Sequence, residues 1–159
     1  MYSHQFDTPL GTMLALADNT GLLRLDFLDC VAVPPVGTPA HGAVLTLLQR
    51  TEAQLSAYFV GALTQFDLPL AARGTPFQQR VWQVLQTVGW GQTESYRYLA
   101  RQVECERGVR AVAQALARNP ISIVVPCHRV IGSDGRLTGY AGGLARKEAL
   151  LALEHPYTN

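Results

Sequence analysis

Apolar and polar residues change their spacing several times along the chain, and each change predicts an element. The apolar run at residues 13–17 leads into the turn signal Asp18-Asn19-Thr20-Gly21, and residues 23–27 then alternate with a period of two. This pattern predicts a β-hairpin. The breakers that follow predict a loop and comprise Pro34, Pro35, Gly37 and Pro39.

Apolar spacing of three and four over residues 42–60 predicts an amphipathic helix. A short strand is then predicted where Phe66, Leu68 and Leu70 alternate with other residues. Because residues 71–74 are typical of a junction, we expect two domains, residues 1–72 and residues 73–159. The first domain carries no chemical motif, so we expect a small α/β layer whose role is packing.

The second half predicts four helices. A capping box (Thr75-Pro76-Phe77-Gln78) starts the first, with proline at its first position, and Gly89 ends it. Ser95 caps a helix to about residue 102, and the last helix covers about 144–153. Residues 109–117 predict a helix whose buried side holds Val109, Val112, Ala113 and Leu116. Two short helices joined by the turn at 104–108 are typical of a helix-turn-helix, which presents its second helix to DNA.

The most specific chemical signal is Pro126-Cys127-His128-Arg129, which follows the apolar run at 121–125. The run predicts a buried strand, and a thiol beside a base predicts a nucleophile, because the thiolate is the reactive form. A cysteine that only packs is the alternative. Adjacent residues on a strand face opposite sides, so His128 acts on Cys127 only through a sharp turn or a bridging water, and we expect the water.

Two further polar residues allow two interpretations each. Asn119 precedes Pro120 and is a helix stop, an amide that ties the helix-turn-helix to the Cys127 segment, or both. Glu154 is either an exposed terminal glutamate or the group that orients His128. The glycine-rich segment at 139–143 predicts a loop whose backbone approaches a ligand closely.

Composition narrows the class of protein. The chain has 159 residues, 48% apolar and 16% charged, which is typical of a folded globular protein. It has neither the roughly 18-residue apolar stretch of a membrane helix nor a visible signal peptide, so we expect the cytoplasm. Three cysteines without paired spacing indicate free thiols, and the four scattered histidines do not suggest a zinc site.

Charge is divided unevenly between the two halves. Residues 1–72 carry a net charge of −4 and residues 73–159 carry +5, and all but one of the cations in the second half are arginine. Arginine suits phosphate recognition, so the second half is a candidate for binding anions or nucleic acid. A solvated arginine-rich surface explains the charge equally well.

Over residues 74–154 the chain resembles the O6-alkylguanine-DNA alkyltransferase (methylated-DNA–protein-cysteine methyltransferase) family. The segments that carry the resemblance are TPFQQRVW at 75–82, SY at 95–96, NP at 119–120, IVVPCHRVI at 123–131 and GYAGGL at 139–144. Residues 1–70 are similar, more weakly, to the family's ribonuclease-H-like domain. The resemblance implies an α+β fold, with that small α/β domain followed by a winged-helix-like, helix-turn-helix alkyltransferase domain.

The resemblance also implies DNA repair by direct reversal, in which Cys127 accepts the alkyl group of O6-alkylguanine irreversibly and once per molecule. O4-alkylthymine stays open as a second substrate. His128 would deprotonate Cys127 through a water, and Glu154 would orient His128. Asn119 would brace the turn, and Tyr96 would donate a proton or hydrogen bond to the departing guanine.

The implied partner is double-stranded DNA, bound through its minor groove with the damaged base flipped out. Arg110 would enter the duplex and hold the space that the base leaves. The other DNA contacts would be Ala111, Ala115, Arg118 and Arg129, and the base pocket would involve Val130, Tyr140 and Ala141. The resemblance implies a monomer with no cofactor, no metal and no membrane contact.

Some residues depart from the family pattern. A Gly89-Trp90-Gly91 turn replaces one that usually contains proline, and Glu104 and Glu106 place acids in the helix-turn-helix turn, which lowers the expected DNA affinity. No regulatory domain is recognisable, which favours a stand-alone repair protein.

Two other classes of function remain as alternatives. A non-catalytic lesion-binding relative would lack Cys127, and a cysteine hydrolase would need an oxyanion site and would turn over repeatedly.

Overall fold

The computed structural model of the chain describes residues 1–32 and 38–155. It divides into two compact units, Met1–Arg73 and Gly74–Asn159. Of the predicted loop, Pro34, Pro35 and Gly37 lie outside the described residues. No helix among the described residues is both long and apolar enough to cross a bilayer.

The first unit is built on an antiparallel sheet of three strands in the order β1 (Tyr2–Thr8), β2 (Gly11–Asp18) and β3 (Gly21–Phe27). The predicted hairpin is confirmed, and Asp18 Oδ1 accepts a hydrogen bond of 2.8 Å from the Thr20 amide in its turn. Strand β1 was not predicted, because Phe6 is its only buried residue and its other side chains show no apolar alternation. Helix α1 (Gly42–Phe59) is confirmed and packs on the sheet.

The strand predicted around residues 66–70 is wrong, because only a single bridge joins Leu70 to Leu22 of β3. The Leu22 amide donates to the Pro69 carbonyl at 2.8 Å, and the Ala71 amide donates to Leu22 at 2.8 Å. Pro69 has no N–H and cannot extend a ladder. Gly21 is required at this contact, because a Cβ there would lie 2.6 Å from the Pro69 carbonyl oxygen.

The second unit contains the predicted helices α2 (Pro76–Leu85), α3 (Tyr96–Gln102), α4 (Val109–Ala117) and α5 (Leu144–Glu154). The capping box of α2 and the Ser95 cap of α3 are confirmed. Helix α2 ends at Leu85, before the predicted stop at Gly89, and the chain continues in turns. Two short parallel strands, β4 (Glu94–Ser95) and β5 (Val130–Ile131), place the start of α3 beside the segment that follows Cys127.

The strand predicted at residues 121–125 is wrong. The segment folds back on itself, with the Val125 amide donating to the Ile121 carbonyl at 3.1 Å and Ile123 at a φ of 71°. A 3-10 helix, Cys127–Arg129, follows directly. The apolar run correctly indicated burial, since four of its five residues are buried, but a short apolar run does not distinguish a strand from other buried backbone.

Candidate active site

Cys127 lies at the wall of a cavity of about 790 Å³ in the second unit. The walls include Tyr96 at the start of α3, Arg110 on α4, and Tyr140 and Ala141 on the loop before α5. Cys127 is 7% exposed. Burial raises the pKa of its thiol above 9.0, while a hydrogen bond with Asn119 and the positive charge of Lys147 act in the opposite direction. The thiol therefore keeps its proton at neutral pH.

His128 and Glu154 are brought together, so Glu154 is not an exposed terminal glutamate. His128 Nε2 lies 2.8 Å from Glu154 Oε2, and both side chains are completely buried. Burial would raise the pKa of Glu154, but hydrogen bonds from His128 and Arg129 outweigh it and bring the pKa to about 2. An ionised carboxylate only accepts hydrogen bonds, so Nε2 of His128 carries the hydrogen and donates it.

The other ring nitrogen of His128, Nδ1, is not engaged by any described residue. Burial lowers the pKa of His128 below 6.5, although Glu154 opposes the shift, so the ring is neutral at neutral pH. With the hydrogen on Nε2, the lone pair of a neutral ring lies on Nδ1. Nδ1 is buried and makes no hydrogen bond to any described residue. The 3-10 turn also removes the opposed strand geometry that would have separated His128 from Cys127.

Asn119 connects the end of α4 to the turn that carries Cys127. Its Nδ2 donates to the Val125 carbonyl at 2.8 Å, and its Oδ1 accepts from the Ile121 amide at 3.0 Å. Asn119 is 5% exposed, so both bonds are buried. The side chain stops the helix and ties the two segments together, as the two interpretations together required.

Arg129 does not lie on a DNA-accessible surface, against the expectation from the sequence. It is 6% exposed, and its guanidinium donates to both carboxylate oxygens of Glu154 and to the Val88 carbonyl. Each nitrogen of the fork is thus engaged inside the unit. A phosphate contact would require the loss of these buried bonds.

The buried face of helix α4 differs from the predicted one. Val109 is 37% exposed, whereas Ala115, expected to contact DNA, is 2% exposed. The C-terminal part of α4 packs on α2, where Trp82 Nε1 donates to the Ala115 carbonyl at 2.9 Å, and this contact turns Ala115 into the core. Arg110, Ala111 and Arg118 are exposed, as a surface role requires.

Val130 contributes to the site differently from the expectation. Its side chain is fully buried, its carbonyl accepts a hydrogen bond of 2.6 Å from Lys147 Nζ, and it is not among the described residues that line the cavity. Tyr140 and Ala141 do line it. The Tyr140 ring meets His128 edge-on, with ring centroids 6.4 Å apart.

Two residues of the site were missed from the sequence. Thr138 lines the cavity, and its hydroxyl shares a short hydrogen bond with the Tyr96 hydroxyl. Lys147 is buried on α5 and donates to the carbonyls of Val130 and Thr138. Lys147 is the one lysine in an arginine-rich chain, which is a signal for a special position, whereas nothing in the sequence distinguishes Thr138.

Comparison with known proteins agrees with this geometry. Residues 1–72 match the ribonuclease-like domain of 6-O-methylguanine DNA methyltransferase, and residues 76–156 match its DNA-binding domain. The methylated-DNA–protein-cysteine methyltransferase of Mycobacterium tuberculosis is 46% identical over 150 residues, covering 93% of this chain and 88% of the relative. The protein of that name from Methanosarcina barkeri is 46% identical over 155 residues, covering 97% of each.

A solved structure extends the comparison to the fold. The crystal structure of Mycobacterium tuberculosis OGT in complex with DNA has a TM-score of 0.89 and 44% sequence identity, covering 98% of this chain and 94% of that one. Both family models and these relatives together cover nearly the whole sequence. The chain therefore belongs to the 6-O-methylguanine DNA methyltransferase family.

Proposed function

We propose that this protein repairs DNA by moving the alkyl group of O6-alkylguanine onto Cys127. The observation that carries the proposal is the buried hydrogen bond between Glu154 and His128, which lies in the same turn as Cys127, and Cys127 lines a cavity. Relatives at 46% identity are named methylated-DNA–protein-cysteine methyltransferase, and a related structure holds DNA. The thioether product is stable, because removing its alkyl group would require the Cys127 thiolate to act as the leaving group. Each molecule therefore reacts once.

The proposed reaction is a displacement at the alkyl carbon. Cys127 Sγ forms a bond to that carbon as the bond from the carbon to guanine O6 breaks. The thiol proton passes to Nδ1 of His128, through a water as expected from the sequence, and Glu154 stabilises the cation that forms on the ring. Because both Cys127 and His128 are neutral at rest, charge develops only when a substrate is present.

Tyr96 completes the proton balance in this proposal. Tyr96 lines the same cavity as Cys127, and its hydroxyl is hydrogen-bonded to the Thr138 hydroxyl. A hydrogen bond or proton from Tyr96 to the guanine offsets the negative charge that the base gains as it leaves. Asn119 keeps the Cys127 turn against the end of α4 through its two buried hydrogen bonds.

The damaged base must leave the duplex, because a buried thiol cannot reach O6 in a base stack. We assign Arg110 to the space that the base vacates, since it is exposed on α4 and lines the cavity. Ala111 and Arg118 would contact the duplex at its minor groove. We further propose that the protein acts as a monomer in the cytoplasm, where its three cysteines would stay reduced.

Mass spectrometry of the protein after incubation with a duplex containing O6-methylguanine tests the proposal. We expect one methyl group per molecule, on the peptide containing Cys127, while exposed Cys30 serves as an internal control and stays unmodified. Arg110→Ala should slow repair of the duplex far more than reaction with free O6-alkylguanine base. Unmodified Cys127 after long incubation would exclude the transferase, and repeated turnover would favour a hydrolase.

A further inference from the structure

The guanidinium of Arg129 is buried and hydrogen-bonded to Glu154, the glutamate that contacts His128. Its Nε donates to Glu154 Oε1 at 2.8 Å, its Nη2 donates to Oε2 at 3.0 Å, and its Nη1 donates to the Val88 carbonyl at 2.7 Å. Bidentate arginine–carboxylate contacts of this kind are strong and geometrically specific. The family motif places an arginine here, but its contacts give it a task other than binding phosphate.

His128 and Arg129 share one carboxylate. Glu154 Oε2 accepts a hydrogen bond from His128 Nε2 and another from Arg129 Nη2. The other charged or titratable groups near His128 are Cys127 in the same turn, Lys147 on α5 and the edge-on ring of Tyr140. Among the described residues, Glu154 is therefore the single acidic group paired with the histidine.

We propose that Arg129 is a positioning residue for alkyl transfer, which compensates the negative charge of the ionised Glu154 and so keeps His128 an uncharged base with a free Nδ1 lone pair. A buried carboxylate with no other partner favours the imidazolium form of a neighbouring histidine. An imidazolium has no lone pair and cannot take the thiol proton. With Arg129 in place, Glu154 still orients the ring through Nε2 and still raises the pKa of His128, but the charge of Arg129 opposes that effect.

The direction of the pKa shift of His128 agrees with this role of Arg129. Its pKa is lowered by burial, and the charge of Arg129 adds to that effect while Glu154 opposes it. The same arginine contributes to the low pKa of Glu154. Arg129 thus keeps Glu154 ionised, so that the carboxylate accepts the hydrogen bond from Nε2. The same positive charge disfavours protonation of Nδ1.

Titration of His128 by NMR tests the inference without DNA or substrate. We expect the wild-type ring to titrate below pH 6.5 with its hydrogen on Nε2. In Arg129→Met the Glu154 carboxylate loses its guanidinium partner, which should raise that pKa by about one unit or more. In Arg129→Met/Glu154→Gln, which removes both charges, the pKa should return to a low value.

Two comparisons keep the test decisive if Arg129→Met fails to fold. Glu154→Gln and Arg129→Met/Glu154→Gln differ only in the arginine and leave no bare buried carboxylate, and the double variant should have the higher His128 pKa. Arg136→Met removes an exposed arginine from the same unit and should leave the titration unchanged. Equal His128 pKa values with and without Arg129 would overturn the inference.

The expected effect of Arg129 on the rate of alkyl transfer rests on the proposed function. If Cys127 accepts alkyl groups, the rate of transfer by Arg129→Met should fall at a higher pH than that of the wild type, because a protonated His128 cannot act as a base. A merely structural arginine would lower the rate equally at all pH values. Failure of wild-type Cys127 to react would refute the function alone, since the NMR titration is independent of it.

Discussion

Cys127 and His128 are both buried, and burial opposes a charge on each of them. The thiol therefore keeps its proton and the imidazole stays neutral until a reaction requires the proton to move. Lys147 opposes the effect of burial on the Cys127 thiol. Its ammonium group is buried and donates to the carbonyl oxygens of Val130 and Thr138. No carboxylate pairs with it in the part of the chain that is described, so its positive charge favours the Cys127 thiolate.

Lys147→Met should raise the pKa of the Cys127 thiol and slow its alkylation by iodoacetamide at fixed pH. Each unit by which the pKa rises lowers the thiolate fraction about tenfold. Peptide mass spectrometry would give the rate at Cys127, with Cys105 in the same sample as a reference. Lys147→Arg keeps the charge and should lie closer to the wild type. An unchanged rate at Cys127 in Lys147→Met would show that the lysine has no electrostatic role.

At the level of elements, the helix-turn-helix turn carries a local conflict. Helix α3 ends with the Glu104 amide donating to the Arg101 carbonyl at 3.0 Å and the Cys105 amide donating to Ala100 at 2.8 Å. These bonds place Glu104 at a φ of 57°, a position that glycine usually occupies. A glutamate there has an unfavourable backbone conformation and puts a negative charge at the negative end of the helix.

Glu104→Gly should therefore stabilise the protein by about 1 kcal/mol, less the entropy that glycine gains when unfolded. It should also strengthen DNA binding at low salt, because a negative charge is removed from the turn before α4. Urea unfolding and a binding titration would measure the two effects. Glu106→Gln is the matched control, since it removes a charge without changing φ and should strengthen binding alone. A less stable Glu104→Gly would contradict the conformational explanation.

Elements whose signals are local were predictable from the sequence, and those that depend on distant contacts were not. The caps of α2 and α3 use Thr75, Gln78 and Ser95, all within three residues of their partners. The fold-back at 121–125 instead depends on Asn119, whose amide competes with strand formation. Likewise, the difference in the buried face of α4 follows from Trp82, a residue 33 positions away from Ala115.

The candidate site shows the same limit. Cys127 and His128 were recognisable as a candidate pair from the sequence because they are adjacent and chemically distinctive. The buried contact of Arg129 with Glu154 was not predictable, because an arginine at this position could bind a phosphate as well as a buried carboxylate. Its contact with Glu154 joins residues 25 positions apart. Only the folded unit decides which acid the arginine meets.

For the whole molecule, chemistry and charge are concentrated in the second unit. All residues of the candidate site lie within Gly74–Asn159, and the sequence from residue 73 onward carries the net charge of +5. The acid–base groups of the site are also buried there, so their ionisation is linked to folding. Stability of this unit should therefore vary with pH in a way that the site residues determine.

On the acid side, we expect two separate losses of stability. The pKa of His128 is lowered from 6.5 in the folded state, so the unfolded chain binds more protons and stability begins to fall as the pH drops through 6.5. The pKa of Glu154 is lowered from 4.5 to about 2, so its contribution is complete above 4.5 and is lost as the pH falls toward 2.

Urea unfolding at a series of pH values would separate these two losses. Glu154→Gln should lower stability at neutral pH, because the buried Arg129 loses its ionic partner, and should remove the additional loss between pH 4.5 and about 2. Glu148→Gln, an exposed glutamate on the same helix, should retain that loss. If Glu154→Gln and the wild type lost stability in parallel below pH 4.5, the carboxylate would not be linked to folding, and its low pKa in the folded unit would be contradicted.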